Sequence, residues 1–269
     1  MHTPEYIEFI RNEEINKIYR DCIKELVDRV VAENAGNVEA VLLYGGIVRD
    51  RKCIDGWSDI DAIVVFRDIE KRSGERLASL LDDLEKRYSI RIDLTQFSLI
   101  EVTDKRLCRF FYNSEVINAL SMRENVSIVV FGHIPHVALS PQQEKQAAIF
   151  YLTNTLGLFR RYLVEDLYRR NGEEQMKTAI KRVTRWTFSI IRASLRLFDI
   201  YTHPYDSCFP HLRRVFPELD LTLLEQLNHT RKNFNIEVLN ADMICHTELF
   251  VERYVRLALR RYYDEVQRY

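Results

Sequence analysis

Long hydrophobic runs and paired cysteines are both missing from this sequence of 269 residues. No apolar stretch is long enough to span a bilayer, and the N-terminus shows no signal-peptide pattern. The five cysteines are scattered, odd in number and never spaced as CxxC, which argues against a disulfide framework and against a zinc site. These absences favour a soluble protein of the reducing cytoplasm.

Neither sign of charge is in excess, since 39 Lys and Arg residues stand against 40 Asp and Glu residues. Such a balance suggests neither a nucleic-acid coat protein nor a membrane-surface protein. The apolar fraction of 46% is ordinary and is sufficient for a sizeable core. A chain of this length forms one large domain or two small ones.

The periodicity of the apolar residues changes part-way along the chain. In the first part, we predict helices over 5–34, 74–88 and 105–120, strands over 38–44, 59–66, 89–97 and 125–132, and a short helix with a loop over 47–57. After a linker over 133–141 the strand pattern ends, and we predict helices over 141–171, 173–201, 219–232 and 246–267, with a loop over 202–210. The fold class is therefore α/β (α+β), with a sheet domain over 1–138 and a helical bundle over 139–269.

Two aspartates stand at the start of a strand that otherwise reads as buried. Asp59 and Asp61 are two residues apart, so their side chains point to the same face of the strand. Asp93 lies on the polar side of the later strand over 89–97, and the three carboxylates converge if the two strands are neighbours. Such a group favours Mg²⁺, which prefers oxygen ligands and keeps water and substrate phosphates in its shell. Two such ions can align an in-line phosphoryl displacement.

A glycine pair ends the strand over 38–44. At Gly45 and Gly46 the backbone can approach a ligand closely, and a helix start after them would offer N–H groups to a phosphate. Neither the glycine pair nor the DxD pattern is specific alone. The combination of strand, glycine pair, DxD at the start of a strand and Asp93 on a third strand is more specific.

This combination resembles the nucleotidyltransferase superfamily typified by DNA polymerase beta. The chain reads Tyr44-Gly45-Gly46, then twelve residues, then Asp59-Ile60-Asp61-Ala62. The resemblance implies a mixed sheet with flanking helices, a nucleoside triphosphate as substrate and Mg²⁺, with two ions expected. It assigns Asp59, Asp61 and Asp93 to the metal, with Asp93 either a ligand or the base for the acceptor hydroxyl.

The resemblance also implies nucleotide-binding residues. Gly45 and Gly46 would hold the phosphates, with Ser58 and Arg49 as further candidates. Gly46 stands where many members of the superfamily have Ser, so a side-chain contact to the phosphate is missing here.

A sheet domain followed by a helical bundle is similar to the layout of kanamycin and lincosamide nucleotidyltransferases. That layout implies transfer of a nucleoside monophosphate, with ATP among the candidate donors, to a hydroxyl of a small, antibiotic-like acceptor. It makes Glu144, at the start of the helical part, a candidate general base. The alternative is that Glu144 only interacts with the helix dipole.

A series of basic residues recurs on one face of the predicted helix over 173–201: Lys177, Lys181, Arg185, Arg192 and Arg196. They form either a solvated helix face or a wall that binds anions, in which case Lys181 and Arg185 contact the nucleotide. Such a wall favours a neutral or anionic acceptor over a cationic drug.

Two other functions and two simpler structural explanations stay open. One alternative function is a toxin- or antitoxin-type nucleotidyltransferase that acts on tRNA or protein, and the other is a catalytically silent nucleotide-binding module. Structurally, Asp59 and Asp61 could cap a strand or pair with Arg49, Arg51 or Lys52, and Asp93 could pair with Arg91. We expect no membrane partner, and a homodimer is compatible with the sequence.

Overall fold

The computed structural model describes residues 2–49, 53, 58–69, 73–104, 127–134, 140–163, 173–202, 205–233 and 241–267. It divides into two compact units, Met1–Leu139 and Ser140–Tyr269. Every helix in the described part is too short or too polar to cross a lipid bilayer.

The first unit is built on a four-stranded mixed sheet. Its strands are β1 (Val38–Tyr44), β2 (Ile60–Phe66), β3 (Ile92–Ser98) and β4 (Ser127–Gly132), in the order β3-β2-β1-β4. β1 is antiparallel to both β2 and β4, whereas β2 and β3 are parallel. All seven residues of β2 are buried, which explains its nearly continuous apolar sequence. The predicted mixed α/β fold class is confirmed.

In the described part of the first unit, five helices accompany the sheet: α1 (Pro4–Arg11), α2 (Lys17–Glu33), α3 (Gly46–Arg49), α4 (Ser73–Tyr88) and α5 (Leu99–Thr103). α2 and α4 pack against each other. Their buried residues, such as Leu26, Val30, Leu80 and Leu84, join one face of β2 in a single hydrophobic core. The predicted helix over 105–120 lies outside the described residues, and α5 was not predicted.

The single helix predicted over 5–34 is wrong, because the chain breaks it into α1 and α2. The break lies between two asparagines whose side chains bind nearby backbone groups. Asn12 accepts a hydrogen bond from the backbone N–H of Glu14, and Asn16 caps α2 by accepting from the N–H of Ile18. Such local hydrogen bonds compete with those of a continuous helix, so the helical apolar spacing does not by itself reveal the break.

The second unit is helical in its described part, as predicted. It contains α6 (Pro141–Tyr162), α7 (Glu173–Arg196), α8 (Cys208–Val215), α9 (Thr222–Asn233) and α10 (Ala241–Val266). α7 packs against each of the other four helices, and its buried residues, which include Phe188 and Ile191, lie in a second hydrophobic core.

Several predicted boundaries in this unit are wrong: α9 begins at Thr222 instead of 219, α10 begins at Ala241 instead of 246, and two further boundaries differ for a clear reason. The predicted loop over 202–210 contains a 3-10 turn, Tyr205–Ser207, and the start of α8, because Pro210 falls in the first helical turn, where its missing N–H costs nothing. α7 ends at Arg196 instead of continuing to 201. Asp199 takes a left-handed backbone conformation with φ 58°, which is incompatible with a continuing helix.

Gly132, at the end of β4, provides a test of the packing of the sheet. Its φ is 71°, and a Cβ atom built there lies 1.9 Å from the carbonyl oxygen of Glu39. We expect Gly132→Ala to lower the free energy of unfolding by about 3 kcal/mol, because backbone strain and a backbone clash add together. Urea denaturation measures the change.

Gly36→Ala is the matched control for this variant. Gly36 has a φ of 81° but no atom within 4 Å of the added Cβ, so only the conformational cost of about 1–2 kcal/mol applies. Equal destabilisation in the two variants would contradict the clash with Glu39.

Candidate metal centre

Three carboxylates meet where β2 and β3 begin. The two strands are adjacent and parallel, and their register pairs Asp61 with Asp93. Asp59 lies two residues before Asp61, directly ahead of β2. One oxygen atom from each of the three carboxylates lies within 4.8 Å of the others. The neighbouring strands that the sequence analysis required are therefore present.

The three aspartates differ in their access to solvent. Asp61 is 6% exposed, Asp59 is half-buried, and the side chain of Asp93 is 38% exposed. Burial of negative charge is unfavourable unless hydrogen bonds or positive charge compensate it. The arrangement thus places one carboxylate in the interior and leaves another accessible from solvent.

Gly45 lies against the buried carboxylate. It follows Tyr44, which pairs with Asp61 across β1 and β2, and it has a φ of 79°. A Cβ atom at this position would lie 2.3 Å from Oδ2 of Asp61. Glycine is needed here for two reasons, because the left-handed conformation disfavours other residues and because the carboxylate occupies the space of a side chain.

Hydrogen bonds outside the cluster hold the segments that carry the aspartates. The hydroxyl of Tyr19, a buried residue of α2, donates to the carbonyl oxygen of Ser58 at 3.1 Å. The N–H of Ile60 donates to the carbonyl oxygen of Arg91 at 2.9 Å, so the starts of β2 and β3 are joined. The role of Tyr19 is not visible in the sequence, because a tyrosine on a helix carries no pattern that distinguishes an anchor from a core residue.

The pairing of Asp93 with Arg91, raised as an alternative, occurs but is weak. Their charged atoms are 3.9 Å apart, and the two side chains are 38% and 47% exposed. A pair this exposed contributes at most about 1 kcal/mol, so it does not account for three converging carboxylates. The alternative pairing with Arg49, Arg51 or Lys52 involves side chains outside the described residues.

The donor set of this cluster fits a hard divalent cation. All three groups are carboxylates, with no nitrogen or sulfur ligand among them, and Mg²⁺ and Ca²⁺ prefer such oxygens. Within the described part of the chain, it is the one group of three or more His, Cys, Asp or Glu side chains close enough to hold a metal ion.

Two of the other residues predicted to contact the nucleotide, Gly46 and Ser58, belong to the described part of the chain. Gly46 begins α3, which is a single turn, and Ser58 is half-buried in the segment held by Tyr19. The side chain of Arg49 is outside the described residues. Phosphate binding by these residues stays a prediction.

Glu144 belongs to the second unit and is buried rather than exposed. It stands in the first turn of α6 with 3% exposure, and its carboxylate accepts a hydrogen bond from the hydroxyl of Tyr201. The cap of this helix is formed by Ser140 and Gln143, which bond reciprocally. Its role as a general base stays a prediction.

The basic stripe on α7 is not a continuous exposed face. Arg192 and Arg196 are 3% and 4% exposed, so for them both the solvated face and the anion-binding wall are wrong. Their guanidinium groups lie 5.1 Å and 5.5 Å from the ring centres of Tyr205 and Tyr201. Such contacts stabilise cations inside the bundle.

The remaining members of the stripe lie nearer the start of α7. Lys181 and Arg185 are half-exposed, and nucleotide binding by them stays a prediction. The side chain of Lys177 lies outside the described residues.

The fold of this chain is similar to that of a known enzyme. No protein-family model and no curated protein matches this sequence. A crystal structure of spectinomycin adenyltransferase AAD(9) from Enterococcus faecialis, with ATP and spectinomycin, is similar to the chain with a TM-score of 0.56. This chain shares the fold of that adenyltransferase. The likeness covers 86% of this chain and 98% of that chain at 14% identity, so it includes parts of both units and confirms the expected resemblance in fold.

Two toxin-antitoxin structures overlap with about half of the chain. A mutant of the MntA-HpeT complex has 13% identity and a TM-score of 0.26, covering 52% of this chain and 94% of that chain. A tri-AMPylated Shewanella oneidensis HEPN toxin in complex with MNT antitoxin has 14% identity and a TM-score of 0.25, covering 55% and 91%. Scores this low carry no argument about the nucleotidyltransferase fold or its function.

The space taken by Asp61 beside Gly45 generates a prediction for metal binding. Gly45→Ala would push the carboxylate away from Asp59 and Asp93, and we expect the affinity for Mn²⁺, used as a probe for Mg²⁺, to fall about tenfold or more. Titration followed by electron paramagnetic resonance measures the free ion. Gly36→Ala, with a similar φ and open space, should bind Mn²⁺ like the unaltered chain; an unchanged affinity in Gly45→Ala would refute the steric argument.

Proposed function

We propose that this chain is an Mg²⁺-dependent nucleotidyltransferase, which moves a nucleoside monophosphate from a nucleoside triphosphate to a hydroxyl group of a small-molecule acceptor. The observation that carries the proposal is the convergence of Asp59, Asp61 and Asp93 beside Gly45, on a nucleotidyltransferase fold.

At the α-phosphorus, the reaction forms one bond and breaks another. The acceptor oxygen bonds to the α-phosphorus, the bond from that phosphorus to the oxygen bridging the α- and β-phosphates breaks, pyrophosphate leaves, and the hydroxyl proton passes to a base. Asp59 and Asp61 would hold Mg²⁺, with Asp93 as either a third ligand or the base, and the bound ion would orient the triphosphate and neutralise charge that develops on it. Gly45 and Gly46 let the backbone approach the phosphates, and Ser58, Arg49, Lys181 and Arg185 are the further proposed nucleotide contacts.

Asp93 is the preferred candidate for the base. Its side chain is 38% exposed, whereas Asp61 and Glu144 are buried, so an acceptor hydroxyl can approach Asp93 from solvent. Glu144 is buried and already accepts a hydrogen bond from Tyr201. A base must lie within hydrogen-bond reach of the proton that it removes. Because Asp93 is exposed, an acceptor hydroxyl can come within that distance of its carboxylate.

A small molecule is favoured over tRNA as the acceptor. The AAD(9) structure contains spectinomycin, and its likeness to this chain extends into the helical unit, so spectinomycin is the first acceptor to test. The burial of Arg192 and Arg196 removes two cations from the wall on which RNA phosphates would have docked.

The central test is transfer from α-labelled ATP, GTP, CTP and UTP with Mg²⁺, to spectinomycin and to the small-molecule, RNA and protein fractions of a host-cell extract. We expect label in the small-molecule fraction. Asp59→Asn combined with Asp61→Asn should lower the rate at least a hundredfold, because a carboxamide is a poorer ligand for Mg²⁺ than a carboxylate.

Asp82→Asn is the matched control, since Asp82 is an exposed aspartate of α4 outside the cluster, and its variant should transfer normally. Label in the RNA or protein fraction would show that the acceptor is RNA or protein instead of a small molecule, while the proposed nucleotidyl transfer would stand. Transfer that survives in the double variant would refute the role of Asp59 and Asp61 in catalysis. If the intact chain binds no divalent cation, the proposed enzymatic activity is refuted and a catalytically silent module is favoured.

The assignment of the base is tested by comparing two variants. We expect Asp93→Asn to lower kcat by about a hundredfold or more, whereas Glu144→Gln changes kcat only a few-fold. Mn²⁺ affinity, measured in parallel, separates loss of a base from loss of a ligand. If Glu144→Gln lowers kcat more than Asp93→Asn does, Glu144 is the general base instead of Asp93.

A further inference from the structure

Hydrogen bonds hold the peptide groups on both sides of Asp59, which lies just before the first residue of β2. The carbonyl oxygen of Ser58, in the peptide before it, accepts from the hydroxyl of Tyr19 in α2 at 3.1 Å. The N–H of Ile60, in the peptide after it, donates to the carbonyl oxygen of Arg91 at 2.9 Å. Peptide groups are planar, so Tyr19 fixes one of the two planes that set the direction of the aspartate side chain.

The peptide that joins Arg91 to Ile92 is also held at both ends. Its oxygen accepts the bond from β2, and its N–H donates to Oε1 of Glu85 in α4 at 2.7 Å. The C=O and N–H of a trans peptide point in opposite directions, so this N–H points away from β2. Ile92 is buried on an edge strand of the described sheet, where its N–H needs an acceptor. Glu85 supplies it and so fixes the backbone one residue before Asp93.

The helices that carry these two side chains are fixed to each other. α2 and α4 pack together and contribute to the same hydrophobic core. Charged hydrogen bonds also cross between them, from Arg87 to Glu25 and from Arg29 to Asp83. One layer of helices therefore holds the backbone at two of the three carboxylates of the metal centre.

We propose that Tyr19 and Glu85 are positioning residues, which hold Asp59 and Asp93 at the separation that a divalent cation requires. Neither belongs to the carboxylate cluster, so each acts through the backbone. Contacts outside the ligand shell typically change metal affinity or activity by about 10- to 100-fold. The inference rests on the proposed function, because it requires that the cluster binds a metal ion.

The first experiment measures the affinity of Tyr19→Phe for Mn²⁺ by electron paramagnetic resonance. The variant removes one oxygen atom and keeps the ring in the core, so we expect the affinity to fall about tenfold. Tyr6→Phe is the matched control, since Tyr6 is also buried in the first unit and its hydroxyl bonds to no described residue. It should bind Mn²⁺ like the unaltered chain, and equal affinity in Tyr19→Phe would overturn the role of Tyr19.

A pair of variants separates the hydrogen bond of Glu85 from its charge. Both remove the negative charge, but Glu85→Gln keeps an acceptor for the N–H of Ile92, whereas Glu85→Met, of similar size, does not. We expect Glu85→Met to weaken Mn²⁺ binding about tenfold and Glu85→Gln to bind Mn²⁺ like the unaltered chain. A merely structural role would lower the free energy of unfolding and leave the affinity of the folded chains equal, which would overturn the role of Glu85.

The third measurement uses the unaltered chain, so it decides even where a variant does not fold. Coupling between metal binding and a hydrogen bond is reciprocal, so Mg²⁺ at saturation should slow hydrogen exchange at the amide of Ile92 about tenfold. The amide of Arg67, which donates to the carbonyl oxygen of Asn37 at the other end of β2, should exchange as before.

Unchanged exchange at Ile92 in a chain that binds Mg²⁺ would overturn the positioning role and leave the proposed function standing. A chain that binds neither Mg²⁺ nor Mn²⁺ would overturn both.

Discussion

Parallel pairing of β2 with β3 is the constraint on which the candidate metal centre depends. The register places Asp61 opposite Asp93, and the same register places the buried residues Ile60 and Ile92 opposite each other. Side chains alternate between the faces of a strand, so a slip of one residue would turn Asp93 away from Asp61 and expose the apolar face. The hydrophobic core therefore secures the geometry of the carboxylates, although none of its members belongs to the cluster.

The order of the strands adds the glycine to this arrangement. Because β1 is antiparallel to β2, the end of β1 lies beside the start of β2, and Gly45 comes to rest against Asp61. The backbone there approaches the carboxylate more closely than any side chain would allow. A strand end with glycine and a strand start with two aspartates are thus one structural feature, which explains why neither half of the motif is specific alone.

Short apolar runs, and in β3 an alternation of apolar and polar residues, made the four strands predictable, and Asp59, Asp61 and Asp93 could be expected to meet once β2 and β3 were taken as neighbours. Features that depend on particular side-chain contacts, whether distant or local, were not predictable. Tyr19 anchors Ser58 across 39 positions, and the buried Arg192 depends on the ring of Tyr205. The break between α1 and α2 depends on which backbone groups Asn12 and Asn16 accept from, which apolar spacing does not encode.

The helical unit also shows why its basic composition does not identify a ligand. Among its described residues, five arginines lie over aromatic rings: Arg182 over Tyr162, Arg192 and Arg231 over Tyr205, Arg196 over Tyr201, and Arg261 over Phe216. These cations stabilise the bundle, so their charge is not a measure of affinity for anions. Arg213 pairs with Glu225 and Lys232 pairs with Asp206 in the same unit, so these charges too are compensated locally.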